Sequence, residues 1–220
     1  MTTAIIGVGH IGSALARHLV DGGESVALAA KDESRAEALA QQLGPLARAG
    51  SEDDVINGSD VVVFAVWLDT IKELIAQHAH LLEDKIVVDP SNPVGFDESR
   101  QILRTLPDDQ PSGSVVSALL PASAHYVKAF GTLGADSLAN GANREPRRAV
   151  LFYATDDDAA AATIERLIHA AGFEPLKAGG VAGAGRIETP GGDLHQYGLN
   201  GALLDLDEAR AALAGAGAPA

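Results

Sequence analysis

Near its amino end the chain carries the stretch Ala4-Ile-Ile-Gly7-Val-Gly9-His10-Ile-Gly12, in which a short apolar run leads into a glycine-rich turn. The residues that follow, from His10 to Asp21, repeat apolar side chains at helical spacing. A strand, the spacing G-x-G-x-x-G and a helix in this order are typical of a turn that binds the pyrophosphate of a dinucleotide. The free N–H groups and the positive dipole end of the helix would face that anion.

The residues of this turn have separate predicted roles. Gly7 permits the tight turn, Gly9 lets the backbone approach the pyrophosphate, and Gly12 lets the helix pack close to the strand. His10 and Ile11 lie between the glycines and are predicted to help hold the phosphates.

Further apolar runs predict the rest of the fold. Continuously apolar strands separated by helices are typical of a parallel sheet that is covered on both faces. We therefore predict an α/β, doubly wound, mostly parallel sheet, and we predict the polar segment 107–113 to be a surface loop. Strands are predicted over 4–8, 25–30, 60–66, 85–89, 125–130, 149–154 and 173–176, and helices over 10–21, 34–43, 68–78, 114–120 and 159–171.

Composition excludes several classes of protein. The 220 residues suffice for one good core or for a domain and a half. The chain has no cysteine, which excludes disulfides and cysteine-based metal centres, and no histidine or carboxylate spacing predicts another metal site. The formal net charge of −14 argues against nucleic-acid binding. No signal peptide and no bilayer-length apolar run is recognisable, so we expect a cytoplasmic protein that binds no membrane.

The residues after the second predicted strand indicate which dinucleotide is bound. A site for NAD usually carries an acidic residue here, which binds the ribose 2′-hydroxyl. In this chain the strand ends at Ala30 and is followed by Lys31, with Arg35 one helical turn later. Two cations that converge at this point favour the 2′-phosphate of NADP. Alternatively, both are solvated surface charges, and Asp32 or Glu33 binds the ribose.

Two later strand ends are predicted to border the same crevice, because doubly wound sheets bind ligands beyond the carboxyl ends of their strands. Val66 and Trp67 end the strand over 60–66 and are expected near the phosphates or the nicotinamide ribose. Ser91, Asn92 and Pro93 follow the strand over 85–89 and are expected beside the nicotinamide. In the alternative interpretation Trp67 only packs and the segment of Asn92 is a plain turn.

Several motifs together resemble one known family. Read in chain order, they resemble the F420-dependent NADP reductases and the related cytosolic domain of the STEAP ferric reductases, and the resemblance covers nearly the whole chain. The motifs are Gly7-Val-Gly9-His10-Ile-Gly12-Ser-Ala-Leu-Ala, Ala65-Val66, Asp89-Pro-Ser-Asn92-Pro93, Tyr126-Val-Lys128-Ala129-Phe130-Gly131-Thr132, Phe173-Glu-Pro-Leu-Lys-Ala-Gly179 and Arg186-Ile-Glu188.

This resemblance implies a Rossmann-like NADP-binding domain in residues 1–140 and a small C-terminal α/β portion in residues 141–220, which completes the sheet and the substrate cleft. It also implies a homodimer and hydride transfer between NADP(H) and a deazaflavin, coenzyme F420. The family usually has asparagine where this chain has Gly131. Gly131, Thr132 and His125 are expected on the side of the acceptor, His125 because it precedes a strand near the expected crevice.

The leading hypothesis is therefore an NADP-dependent oxidoreductase that acts on a small-molecule redox acceptor. Hydride transfer between flat rings needs alignment more than acid–base groups, so no catalytic residue is assigned. One alternative is reduction of a flavin, an imine or a carbonyl, for which His125, Tyr126 or Tyr197 would donate the proton. The other alternative is a non-catalytic protein that senses the redox state of NADP.

Overall fold

A computed structural model describes residues 1–97 and 99–215 of the chain. The strands are β1 (Thr2–Ile6), β2 (Ser25–Ala29), β3 (Ala47–Ala49), β4 (Val61–Phe64), β5 (Ile86–Asp89), β6 (Val94–Phe96), β7 (Ile102–Arg104), β8 (His125–Lys128), β9 (Val150–Ala154) and β10 (Glu174–Gly179). The α-helices are α1 (His10–Asp21), α2 (Glu33–Leu43), α3 (Glu52–Asn57), α4 (Leu68–His78), α5 (Ser112–Ser117), α6 (Ala135–Asn140), α7 (Asp158–Ala170) and α8 (Leu206–Leu213). Two 3-10 helices span Ala79–Leu81 and Val181–Ile187.

One eight-stranded sheet organises the fold, in the order β10-β9-β8-β5-β4-β1-β2-β3. The strands from β8 to β3 are parallel to one another, and β9 runs antiparallel to β8. Strand β10 is parallel to β9. The predicted Rossmann-like, mostly parallel α/β sheet is therefore confirmed. Strands β9 and β10 belong to the same sheet as the rest, and the division at residue 140 stays a prediction.

Both faces of the sheet are covered, because alternate strand residues pack against different helices. On one face Ile5 packs with Leu15 and Leu19 of α1. On the other face Ile6 and Phe64 pack in a cluster with the apolar residues of α4. The apolar stripes of α1 and α4, both of which begin and end where the sequence predicts, thus supply the core beneath the carboxyl edge of the sheet.

The structure differs from the sequence prediction where elements are short. The hairpin β6–β7 and the short β3, α3, α6 and α8 were not expected. The segment 107–113 is not a surface loop throughout, since Ser112 and Gly113 begin α5 and are buried. Their N–H groups donate to the distant carboxylate of Glu188, which makes this burial possible.

Among the described residues, no helix has the length and apolar character needed to cross a bilayer.

Candidate functional site

A cavity of about 990 Å³ lies at the carboxyl ends of β1, β2, β4 and β5. This is the edge at which doubly wound sheets bind their ligands. The structure brings most of the predicted cofactor residues together in its lining: Gly7, Gly9, His10, Ile11, Ala30, Lys31, Arg35, Val66, Trp67, Ser91 and Asn92. Two others, Gly12 and Pro93, do not line the cavity.

The three glycines of the turn differ in the space around them. Gly7 has a φ of +98°, and a Cβ there would lie 2.6 Å from the carbonyl oxygen of Ala65. A Cβ on Gly12 would lie 1.9 Å from the carbonyl oxygen of Gly7, so that α1 approaches β1 only because this residue is glycine. A Cβ on Gly9 would meet no protein atom within 4 Å. The space beside Gly9 is therefore not filled by protein atoms.

Helix α1 presents its amino end to this open space. Gly9 is its N-cap and provides no side-chain cap, and the first turn carries no acidic residue. The first N–H groups of a helix need an acceptor outside the helix, and the positive dipole end favours an anion. The geometry of the turn thus fits a phosphate group.

Two cations and one carboxylate stand at the β2 end of the cavity. Lys31 is exposed, and the Arg35 guanidinium lies 3.4 Å from the carbonyl oxygen of Val8, to which it donates. Asp32 lines the same end and accepts a hydrogen bond from the hydroxyl of Ser34 at 2.6 Å. Lys31, Arg35 and Asp32 therefore line the same end of the cavity, and the role of the two cations stays a prediction.

At the β5 end, the side-chain amide of Asn92 is already engaged. Its Nδ2 donates to the carbonyl oxygen of Gly131 at 3.0 Å, and its Oδ1 accepts from the N–H of Thr189 at 2.8 Å. Pro93 is buried, and its carbonyl oxygen accepts from the N–H of Thr105. Asn92 therefore fixes the cavity wall to two other segments instead of holding a free amide in the cavity.

Gly131 and Thr132 lie behind this wall and not in the cavity lining. A Cβ on Gly131 would lie 2.3 Å from the carbonyl oxygen of Pro90, so no side chain fits with this backbone. Thr132 is buried, and its hydroxyl has no hydrogen-bond partner among the described residues. The glycine that departs from the usual asparagine thus lets the segments after β5 and β8 approach each other closely.

His125 does not lie where the sequence analysis expects it. It is at the amino end of β8, whereas the large cavity is at the carboxyl edge, and it lines a separate cavity of about 660 Å³. Its Nδ1 is hydrogen-bonded to the carboxylate of Asp157. Asp157 caps α7, and its pKa is lowered by the N–H of Ala160 and by His125. Because β8 is parallel to β5, its first residue lies at the amino edge of the sheet, opposite the edge that carries the large cavity.

Sequence reasoning missed a network of buried charges behind the β5 end of the cavity. The ammonium group of Lys128 donates to Asp89 Oδ2 at 2.8 Å, to the carbonyl oxygen of Ser91 at 2.6 Å and to Ser112 Oγ at 2.8 Å. Glu188 lies 3.7 Å from the same ammonium group. Its carboxylate accepts from the N–H and the hydroxyl of Ser112, each at 2.9 Å. Every charge of the network is therefore paired or hydrogen-bonded, as burial requires.

Tyr126 belongs to the same network. Its hydroxyl donates to Asp89 Oδ2 at 2.8 Å. Burial, together with the negative charge of Asp89, raises the pKa of Tyr126 well above its usual value. The phenol therefore stays protonated and bound to Asp89, which does not suit it to the role of proton donor. Of the three predicted donor candidates, His125 and Tyr126 are hydrogen-bonded to carboxylates. The side chain of Tyr197, the third, is exposed.

The burial of His195 leads us to expect that the stability of the protein depends on pH. Burial lowers the pKa of the His195 imidazole to about 4, although a contact with the backbone of Gly131 opposes this. Unfolded histidine has a pKa of about 6.5, so at pH values between the two pKa values the unfolded chain binds a proton that the folded chain does not. We expect the free energy of unfolding to fall by up to about 3 kcal/mol as the pH drops through this window.

Urea unfolding at about pH 7 and about pH 5 measures the part of this loss that falls between these pH values, about 2 kcal/mol. His195→Gln should lose less stability than the wild type over the same change. Equal losses in the two proteins would assign the pH dependence to other groups.

Part of the chain matches the model of a known family. The model described as NADP oxidoreductase, coenzyme F420-dependent, matches residues 2–93, which include the glycine turn, both cations and the wall formed by Ser91 and Asn92. No curated protein sequence matches the chain.

Solved structures similar to this chain were also found. A hypothetical protein from Sinorhizobium meliloti is 31% identical, with a TM-score of 0.79, over 94% of this chain and 95% of that one. A candidate F420-dependent NADP reductase from Arthrobacter sp. FB24 is 24% identical, with a TM-score of 0.71, over 84% and 89% of the two chains. A reductive aminase from Aspergillus terreus in complex with NADPH and ethyl levulinate is 19% identical, with a TM-score of 0.60, over 90% of this chain but 59% of that one. At 24% and 19% identity, the last two similarities concern the fold alone.

Proposed function

We propose that this chain, whose residues 2–93 match the family of coenzyme F420-dependent NADP oxidoreductases, transfers a hydride between NADP(H) and a planar acceptor such as the deazaflavin F420. The observation that carries this proposal is the cavity at the carboxyl edge of the sheet, where the open space at Gly9, the amino end of α1 and two cations meet. These features match the charges of a dinucleotide with a third phosphate.

Each part of the cavity has a proposed partner on the dinucleotide. Gly7, Gly9, His10 and Ile11 would hold the pyrophosphate, with Gly12 allowing the helix to approach. Ala30, Lys31 and Arg35 would hold the ribose and its 2′-phosphate. Val66, Trp67, Ser91 and Asn92 would border the nicotinamide half, with Pro93 behind them. NADP(H) supplies the hydride chemistry, and the protein contributes binding, alignment and exclusion of water.

The preference for NADPH over NADH tests the role of the two cations. Charge-assisted hydrogen bonds contribute about 1.5–3 kcal/mol each, so we expect NADPH to bind on the order of 100-fold more tightly than NADH. The double variant Lys31→Ala, Arg35→Ala should remove most of this difference, as measured by titration of nicotinamide fluorescence. The control double variant Lys72→Ala, Lys177→Ala removes the same charge from partly exposed positions outside the cavity lining and should keep the preference. Equal affinity of the wild type for both nucleotides would contradict the proposal and would favour Asp32 as the ribose ligand.

The acceptor is tested by NADPH oxidation with F420, FMN, FAD, ferric chelates and a cyclic imine. We expect turnover with F420, because ring-to-ring hydride transfer needs no protein proton donor. Imine reduction needs such a donor, but Tyr126 is bound to Asp89 and His125 lines a different cavity. Tyr197 is exposed but does not line the large cavity. Tight NADPH binding without turnover by any acceptor would instead favour the NADP-sensing alternative.

On the basis of the family resemblance, we also propose a homodimer in which residues 141–220 complete the acceptor cleft. Gly131 and Thr132 would then support the acceptor side from behind the wall rather than contact the acceptor. A cytoplasmic location stays a prediction from the sequence. Sedimentation equilibrium measures the oligomeric state.

A further inference from the structure

The order of the strands gives a direction to the dinucleotide in the proposed site. The cations stand at the end of β2, the glycine turn follows β1, and Ser91 and Asn92 follow β5. The strands lie in the order β2-β1-β4-β5, so three spacings of ~4.8 Å, or roughly 14 Å, separate the ends of β2 and β5. A nucleotide whose 2′-phosphate lies at Lys31 and Arg35 and whose pyrophosphate lies at Gly9 therefore brings its nicotinamide half to the end of β5.

The wall at the end of β5 offers two polar side chains, and they differ in their hydrogen bonds. The amide of Asn92 is engaged at both its nitrogen and its oxygen, by Gly131 and Thr189. Ser91 also lines the cavity and is only 7% exposed, yet its hydroxyl has no hydrogen-bond partner in the described part of the chain. Burying a hydroxyl without a partner is unfavourable, and a hydrogen bond to a ligand at this wall would remove that penalty.

The backbone of Ser91 is fixed on both sides by the buried charges. Its N–H donates to Asp89 Oδ1 at 2.7 Å, and its carbonyl oxygen accepts from the ammonium group of Lys128 at 2.6 Å. Lys128 also donates to Asp89. The fully buried ion pair therefore binds the peptide groups of Ser91 and leaves only its hydroxyl without a partner.

We propose that the hydroxyl of Ser91 is the side-chain hydrogen-bonding group presented to the nicotinamide half of the dinucleotide, with Asp89 and Lys128 as the residues that position it. The ligand group is the carboxamide or a ribose hydroxyl, both of which donate and accept hydrogen bonds. Asn92 then acts as a tie between segments and not as a ligand of the cofactor. This inference rests on the proposed function, since it presupposes that the cavity binds NADP(H).

Ser91→Ala tests the proposal, with Ser59→Ala as a matched control. Ser59 is likewise buried with an unpartnered hydroxyl, but it precedes β4 at the opposite edge of the sheet. Because neither hydroxyl has a hydrogen-bond partner, its removal should not destabilise the fold, so neither variant should unfold at a lower urea concentration than the wild type. Each is titrated with NADPH and with 2′,5′-ADP, which has the 2′-phosphate but lacks the nicotinamide half.

We expect Ser91→Ala to weaken NADPH binding about 10-fold and to leave the affinity for 2′,5′-ADP unchanged. Ser59→Ala should change neither affinity. The inference is overturned if Ser91→Ala binds NADPH as the wild type does, or if it loses both ligands to the same extent. A wild type that binds neither ligand would contradict the proposed function itself, whereas wild-type binding with no effect of Ser91→Ala contradicts only the role of Ser91.

Discussion

Replacing Lys128 by methionine is expected to lower the free energy of unfolding by about 3–5 kcal/mol, because it leaves buried carboxylates without their cation. Asp89 and Glu188 are both fully buried, and the Lys128 ammonium group is the positive charge that reaches them. Methionine keeps the length and apolar stem of the side chain, so little of the loss would come from packing. With a total stability of about 5–15 kcal/mol, such a loss is a large share.

Urea unfolding followed by far-ultraviolet circular dichroism measures this change. The control is Lys72→Met, which removes the same group from a partly exposed pair with Asp69 at 2.9 Å. An exposed pair contributes about 0–1 kcal/mol, so the control should stay close to the wild type. A Lys128→Met protein as stable as the Lys72→Met protein would mean that the buried charges are stabilised without Lys128.

Gly9→Ala is expected to leave the fold intact and to weaken NADPH binding by about 100-fold. Gly9 has a φ of −73°, which alanine adopts freely, and its Cβ would meet no protein atom. The methyl group would occupy the space proposed for the pyrophosphate. Gly12→Ala should instead destabilise the fold, because its Cβ would collide with the carbonyl oxygen of Gly7. The resulting overpacking costs at least about 1–3 kcal/mol of stability.

Thermal unfolding and NADPH titration on both variants separate the two effects. Gly183→Ala is the control, since its Cβ also meets no atom within 4 Å and Gly183 does not line the cavity. It should change neither stability nor affinity. If Gly9→Ala binds NADPH as the wild type does, the phosphates do not lie at this turn.

Periodicity predicted the long elements well and the short ones poorly. Helices α1 and α4 begin and end at the predicted residues, because each has several turns of regularly spaced apolar side chains on one face. The strands β6 and β7 have three residues each and expose Phe96 and Ile102. A segment of three residues is too short to show an alternation of buried and exposed side chains, so its pairing depends on tertiary contacts.

The cavity could be predicted because parallel strands end at the same edge. Knowing that β1, β2, β4 and β5 run in one direction is enough to bring Gly9, Lys31 and Ser91 together. His125 begins β8, which is parallel to β5, so the same rule assigns it to the opposite edge of the sheet. The engagement of Asn92 was not predictable, since it depends on Thr189, which lies 97 residues further along the chain.

The buried charges left a weaker trace in the sequence. Lys128 interrupts an apolar stretch between Val127 and Ala129, and Asp89 ends the run Ile86-Val-Val. A charged residue inside a buried strand needs a partner, which was the available signal. The identity of that partner was hidden, because nothing in the local pattern connects either residue with Glu188.

The contact between Glu188 and Ser112 spans 76 residues and therefore has a consequence for how the protein is made. During synthesis the amino-terminal strands leave the ribosome first and are able to pair early. The helix that begins at Ser112 receives its capping carboxylate only when residue 188 has emerged, and Asn92 receives its second partner one residue later. A nascent chain released before that point would carry the glycine turn complete and the opposite side of the crevice unfinished.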